Sequence, residues 1–270
     1  MSLKGRNVLV TGASMGIGEA IVKKAAAEGA NIALFARSKD KLATITEYLQ
    51  DRYSSSKFIF RSVELQSYEA VESVVQDVVN ELGDIDILIN NVRSISSTAL
   101  ACPYYSQAGL ALGAPAEFPN LKVADIVTMN GTNINGMIRK EGTILNITSV
   151  TGLEVPPFPG EAVYHTNKAA QEAFTNALRN ELTGTNIKVL ALRPGCVAAN
   201  FHSLRVGHDK EMYDSFFEGY TPLESEDIAN AAVYMLSQPL NISVKAMDVV
   251  PSAQRSLNVF DRAWNERNGL

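Results

Sequence analysis

Tyr164 and Lys168, in the run Tyr164-His165-Thr166-Asn167-Lys168, are the side chains of this sequence best suited to moving a proton. Four positions apart on a helix is one face, one turn above the other. An ammonium held there favours the tyrosinate form through its field. The phenol can then act as general acid toward a carbonyl or as base toward an alcohol. Ser149 closes the run Asn146-Ile147-Thr148-Ser149, fifteen positions before the tyrosine. Its hydroxyl can hydrogen-bond a substrate oxygen and stabilise charge developing there. Taken alone, a tyrosine on an amphipathic helix is as readily a core residue. What gives these side chains chemical meaning is a glycine-rich stretch far upstream.

That stretch, Thr11-Gly12-Ala13-Ser14-Met15-Gly16-Ile17-Gly18, follows a short apolar run and opens a helical pattern. Gly12 permits a tight turn, Gly16 lets the backbone approach a pyrophosphate, and Gly18 allows close helix packing. The helix start, with Ser14, Met15 and Ile17, presents oriented N–H groups to the anion. Placement between strand and helix separates a dinucleotide site from a chance glycine cluster. The second predicted strand ends in Ala36-Arg37-Ser38-Lys39, with no carboxylate before Asp40. A carboxylate there would hold the ribose hydroxyls of NAD, whereas the planar fork of Arg37 and the hydroxyl of Ser38 suit the 2′-phosphate of NADP. A solvated basic turn is the plainer reading of the same residues. With a nicotinamide bound, hydride transfer is the cofactor's chemistry, and the protein positions and polarises. Lys168 can then also reach the nicotinamide ribose.

The elements that must position these groups follow from periodicity. Strands are expected at Asn7–Thr11, Asn31–Ala36, Lys57–Val63, Ile85–Asn90, Thr143–Thr148, Ile187–Leu192 and Ser243–Val250. Helices are expected at Ile17–Glu28, Asp40–Tyr53, Tyr68–Leu82, Ala162–Leu182, Glu226–Leu236 and Leu257–Asn265. The strands are continuous apolar runs, as in a sheet covered on both faces, so the sheet should be parallel. This defines an α/β fold, a Rossmann-type doubly wound parallel sheet forming one domain over residues 1–270. Regularity breaks at 92–120, an atypical loop scattered with Pro, Gly and Ser. It breaks again at Asn200–Gly219, which is aromatic, charged and irregular.

Composition narrows the function. At 270 residues the chain can bury one large core, and its 46% apolar and 20% charged fractions are those of an ordinary globular domain. A net charge of -5, with no dense Lys/Arg cluster, argues against a nucleic-acid partner. Cys102 and Cys196 are too few for a disulfide framework, and Cys196 reads as a small packed residue. His165 faces another side of the helix from Tyr164, and His202 and His208 lack the acidic partners of a metal site. With no signal peptide and no bilayer-length apolar run, a cytoplasmic protein with no membrane partner is expected.

TGxxxGxG followed by YxxxK in this order resembles the short-chain dehydrogenase/reductase family over nearly the whole chain. Pro194-Gly195 through Thr221-Pro222-Leu223, with Val250-Pro251-Ser252-Ala253-Gln254, resembles its NADP-dependent group acting on serine and other 3-hydroxy acids. The resemblance implies a fourth catalytic residue, an asparagine in a TNxxG pattern. Asn133 in Thr132-Asn133-Ile134-Asn135-Gly136 fits, with Asn130 as competitor. It also implies cofactor contacts from Glu64, which stands where the family has an aspartate, and from Asn91, Pro194, Gly195 and Val197. Residues 200–222 become a substrate lid, with Arg205 the candidate for a substrate carboxylate. The Pro-rich Glu154–Gly160 would wall the other side.

Three departures from the family pattern stand out. Arg93 replaces a small residue after Asn90-Asn91, where it can crowd the nicotinamide ribose. Ala199 replaces a threonine that bonds the carboxamide. Gly142 follows Asn133 by only nine positions, shortening a segment that serves relatives as a subunit interface. The family's usual homo-oligomer, dimer or tetramer, is expected with that reservation.

The leading reading is an NADP-dependent oxidoreductase moving a hydride between nicotinamide and a small hydroxyl or carbonyl substrate, with a 3-hydroxy acid as the substrate class. A catalytically weak or inactive member acting as a binding or assembly module is the alternative favoured by the departures. An epimerase or dehydratase using the same fold is the third.

Overall fold

The computed structural model describes residues 2–64, 68–91, 141–155, 161–199 and 210–270. In chain order the first half gives β1 (Asn7–Thr11), α1 (Gly16–Ala27), β2 (Asn31–Ala36), α2 (Lys39–Arg52), β3 (Phe58–Ser62), α3 (Tyr68–Leu82) and β4 (Ile87–Asn90). Then come β5 (Glu141–Ile147), a 3-10 turn at Val150–Gly152, α4 (Ala162–Glu181), β6 (Asn186–Pro194), α5 (Lys210–Phe217), α6 (Ser225–Leu236) and β7 (Ala246–Val249). A hairpin of β8 (Gln254–Ser256) and β9 (Val259–Phe260) and the short α7 (Trp264–Asn268) follow.

Seven strands form one sheet in the order β3-β2-β1-β4-β5-β6-β7, and every pairing is parallel. The order reverses between β1 and β4. In a doubly wound sheet that point leaves a crevice beyond the carboxyl ends of the strands.

Alternation along each strand sends side chains to opposite faces, and here both faces are dry. Val8 and Val10 of β1 join Ile32 and Leu34 of β2 in the core beneath α1, α2 and α6. Leu9, Ala33 and Phe35 between them join the core beneath α3 and α4. This is why the strands read as unbroken apolar runs. Helix α1 stops where Gly29 takes φ +82, with Ala30 N–H donating to the Ala25 carbonyl at 3.1 Å and Gly29 N–H to Ala26 at 2.9 Å. Those two bonds satisfy end carbonyls in a left-handed glycine cap, and the chain turns directly into β2.

The C-terminal expectations need correction. The helix expected at Leu257–Asn265 is instead the β8–β9 hairpin followed by α7. Leu257 N–H donates to the Glu154 carboxylate at 2.7 Å and Asp261 N–H to the Ala253 carbonyl at 2.9 Å, so long-range partners override the local period. The segment read as irregular carries a helix, α5, in its described part, with Phe216 and Phe217 packed on Cys196, Tyr220, Phe260 and Trp264. The last sheet strand is shorter than expected, covering Ala246–Val249 only. The 92–120 loop, Asn130, Asn133, Arg93, Arg205 and the two other histidines lie outside the described residues.

Candidate active site

The glycine turn leaves β1 and enters α1 with Gly12 at φ +66 and Gly16 at φ +56, a backbone region that side chains resist. Gly18 is fixed by space instead. A Cβ there would sit 2.2 Å from the Gly12 carbonyl oxygen and 2.4 Å from the Asn91 amide nitrogen. Asn91, at the end of β4, holds the turn in place. Its side-chain amide donates to the Gly12 carbonyl at 3.2 Å, and its backbone N–H donates to the Thr11 hydroxyl at 3.0 Å. At the N-cap of α1, Met15 supplies no side-chain acceptor. The first-turn N–H groups are therefore left without the usual cap, at a terminus whose dipole favours an anion. These features fit the pyrophosphate of a dinucleotide.

One cleft lies at this edge of the sheet. Its lining includes Ile17 and Asn91 from the turn, Ser149 after β5, Tyr164 and Lys168 on α4, and Pro194, Gly195 and Val197 after β6. Eight sequence-predicted residues thus meet on one surface. Ser149 is buried and caps the 3-10 turn, its Oγ accepting from Thr151 N–H at 3.1 Å. Lys168 is 5% exposed, its Nζ donating to the Ile147 carbonyl at 3.3 Å and to Gln171 Oε1 at 2.9 Å. That ammonium stands 6.0 Å from the centroid of the Tyr164 ring. At that range its field acts on the phenol. His165 points elsewhere, its Nδ1 donating to the Thr151 carbonyl at 2.6 Å. Since a carbonyl only accepts, Nδ1 carries the proton, and the ring ties α4 to the serine turn.

Arg37 and Ser38 lie further along the same edge, after β2. Both are exposed, the Ser38 side chain caps nothing at the start of α2, and the Arg37 guanidinium makes no hydrogen bond or ion pair among the described residues. Its backbone carbonyl accepts from Ser62 Oγ at 2.8 Å, which fixes the loop while leaving the cation open. Glu64, after β3, is likewise exposed. Ser14 is half-buried within the turn.

The wall after β6 depends on residues that the sequence did not single out for a role. Gln254 Oε1 accepts from Cys196 N–H at 3.0 Å, and a Cβ on Gly195 would come within 2.6 Å of that same oxygen. Gly195 is therefore required by the close approach of β8. Cys196, Ala199 and Leu257 also line the cleft. Gln254 belongs to a stretch singled out only as a resemblance, and nothing local announces Leu257. Among the described residues there is no cluster of acidic, His and Cys side chains able to hold a metal, and no helix long and apolar enough to cross a membrane.

A doubly wound parallel sheet with a glycine turn at its switch point and a Ser–Tyr–Lys set in the adjoining cleft defines a nucleotide-dependent oxidoreductase architecture. The chain belongs to the short-chain dehydrogenase family, whose model, described as short chain dehydrogenase, matches residues 6–206. It is 32% identical to the NADP-dependent 3-hydroxy acid dehydrogenase of Schizosaccharomyces pombe over 95% of this chain and 96% of that one. The closed form of serine dehydrogenase complexed with NADP+ superposes with a TM-score of 0.70 at 27% identity, covering 94% of this chain and 99% of that one. L-Sorbose reductase from Gluconobacter frateurii, complexed with NADPH and L-sorbose, gives 0.72 at 26%, covering 95% and 100%. The chain is thus an oxidoreductase, and nothing in these likenesses favours the inactive-module reading.

Proposed function

We propose that the protein is an NADP-dependent oxidoreductase interconverting small alcohols and carbonyl compounds, with 3-hydroxy acids as its substrate class. The observation that carries this is the single cleft in which the buried ammonium of Lys168, the phenol of Tyr164 and the hydroxyl of Ser149 adjoin a glycine turn built for a pyrophosphate. The substrate class rests on the likeness to the yeast 3-hydroxy acid dehydrogenase and to serine dehydrogenase.

Gly12, Ser14, Met15, Gly16, Ile17 and Gly18 hold the diphosphate, and Arg37 with Ser38 reads the 2′-phosphate. Asn91, Pro194, Gly195 and Val197 wall the nicotinamide end, and Glu64 faces the adenine. When bound, the dinucleotide supplies or accepts the hydride. Ser149 already accepts from Thr151 N–H, so its own O–H is free to be donated to the substrate oxygen. Tyr164 gives its proton to that oxygen as a carbonyl is reduced, or takes one from the hydroxyl in the reverse direction. Lys168 lowers the cost of the phenolate through its field. Asn133 and Arg205 complete the reading from the family pattern, as water anchor and carboxylate partner. The low cysteine count supports a cytoplasmic location, and the family pattern supports a homo-oligomer, dimer or tetramer.

Fluorescence titration with NADPH and NADH, followed by a screen of 3-hydroxy acids with NADP+, tests the proposal. Tight NADPH binding, weak NADH binding and turnover of a 3-hydroxy acid are expected. Binding of neither nucleotide would sink it.

A further inference from the structure

Behind the cleft, the buried carboxylate of Glu172 anchors a charged cluster that the chemistry above does not use. Glu172 follows Lys168 by one turn of α4 and is only 5% exposed. Its Oε1 accepts from the hydroxyl of Thr148, the residue before Ser149. Its Oε2 accepts from Arg193 Nη2 at 2.9 Å, on the residue before Pro194-Gly195. Arg193 in turn reaches Asp248 of β7 through Nη1 at 3.0 Å. The packing around the carboxylate leaves little slack, since a Cβ on Gly152 would lie 2.9 Å from Glu172 Cγ and 2.9 Å from the Lys168 carbonyl oxygen. One side chain therefore touches the strand end carrying Ser149, the turn that Ser149 caps, the helix carrying Tyr164 and Lys168, and the strand feeding the cofactor wall.

We infer that Glu172 is a positioning residue: it sets Ser149 against Tyr164 and Lys168 by holding Thr148, and Arg193 cancels its charge so that the field of Lys168 on the phenol survives. This rests on the catalytic reading given above. A carboxylate one turn from Lys168 would otherwise compete with Tyr164 for that ammonium. Among the described residues, the charged groups acting on it are Arg179 on α4 and Arg193 on β6, with Asp248 of β7 behind Arg193, and Lys168 precedes it by one turn of α4. Burial lowers the pKa of Arg179 and Glu172 partly restores it, while the hydrogen bond to Glu172 raises that of Arg193. Two carboxylates against two guanidinium groups leave the cluster neutral.

Two substitutions separate position from charge. Thr148→Val removes the hydroxyl that Glu172 holds and keeps every charge. It should lower kcat about tenfold with NADPH affinity and the pH midpoint of alcohol oxidation unchanged, and Thr148→Ser should restore kcat. Glu172→Gln keeps hydrogen-bonding capacity but leaves the cluster one unit positive, about two helical turns or ~12 Å from Tyr164. That added charge favours the phenolate, so the midpoint should fall by about half a pH unit. Unchanged kcat in folded Thr148→Val, or an unmoved midpoint in folded Glu172→Gln, would overturn the inference. If Glu172→Gln does not fold, the valine and serine variants at 148 decide alone. The wild-type enzyme is assayed alongside, because absence of any wild-type turnover counts against the proposed function itself and not against this arrangement.

Discussion

The side-chain amide of Asn91 stands 3.2 Å from the Gly12 carbonyl oxygen, so the end of β4 grips the glycine turn that leaves β1. Strands β1 and β4 are neighbours on opposite sides of the order reversal, and this bond fixes the floor of the crevice between them. Because that amide and that carbonyl occupy the space above Gly18, a methyl group at position 18 must displace one of them.

Gly18→Ala should therefore fold less stably despite alanine's better helix propensity. Overpacking of this kind costs about 1–3 kcal/mol, against a propensity gain of about 1 kcal/mol. The larger effect is on function: NADPH affinity should drop at least tenfold, as the turn shifts from its phosphate-binding form. Thermal unfolding and NADPH titration check both parts. A variant that binds NADPH as tightly as wild type would show that the contact yields without disturbing the turn.

Arg37 gives a discriminating prediction because its guanidinium is exposed and without partners among the described residues. Arg37→Ala should weaken NADPH roughly tenfold to a hundredfold, the range for hydrogen bonds to a charged group, while NADH affinity changes by less than threefold. The NADPH loss should shrink as salt is raised, since an exposed charge is screened. Equal losses for the two nucleotides would remove Arg37 from the 2′-phosphate and leave it a surface residue of the α2 start.

The sequence made the floor of the site legible and hid its buttress. β1 and β2 end where periodicity puts them because dry faces on both sides leave an unmistakable apolar run, and α3 does because a single apolar stripe, Val71, Val75 and Val78, packs on the sheet. Tyr164 and Lys168 are visible because their relation is a local helical spacing. Glu172 carries no such signal. Written out, Lys168 and Glu172 look like an ordinary i,i+4 surface pair, while the partners that bury the carboxylate, Thr148 and Arg193, lie 24 and 21 residues away. The β8–β9 hairpin departs from the expected helix for the same reason: Glu154 holds Leu257 from 103 residues away in the chain.

Tyr164→Phe keeps the ring and removes the acidic proton. Turnover should fall by roughly a hundredfold to ten-thousandfold, the contribution of one well-placed general acid, with NADPH affinity within twofold of wild type. Steady-state assay paired with NADPH titration separates the two. Residual turnover above a tenth of wild type would mean that another group delivers the proton.

Tyr220 carries the last prediction, on stability and not on catalysis. Its ring is 1% exposed in the cluster under α5, stacked on Phe260 at 5.1 Å, and its hydroxyl has no nitrogen or oxygen partner among the described residues. Burial, reinforced by the neighbouring Cys196 thiol, pushes the phenol well above its ordinary value of 10.0, and Arg262 over the ring offsets this only in part. A folded-state pKa raised above the unfolded one means stability that is fully present below about pH 10 and is lost as the pH climbs toward the folded value. The protein should therefore unfold more easily in alkali, with the loss beginning near the ordinary phenol range. Tyr220→Phe removes both the ionisation and a buried hydroxyl with little to bond. It should leave stability at pH 7 unchanged or raised by up to about 1 kcal/mol, and it should flatten the alkaline limb of denaturant midpoint against pH. Loss of more than about 1 kcal/mol at pH 7 would show that the contact with the Cys196 sulfur is a stabilising hydrogen bond in its own right.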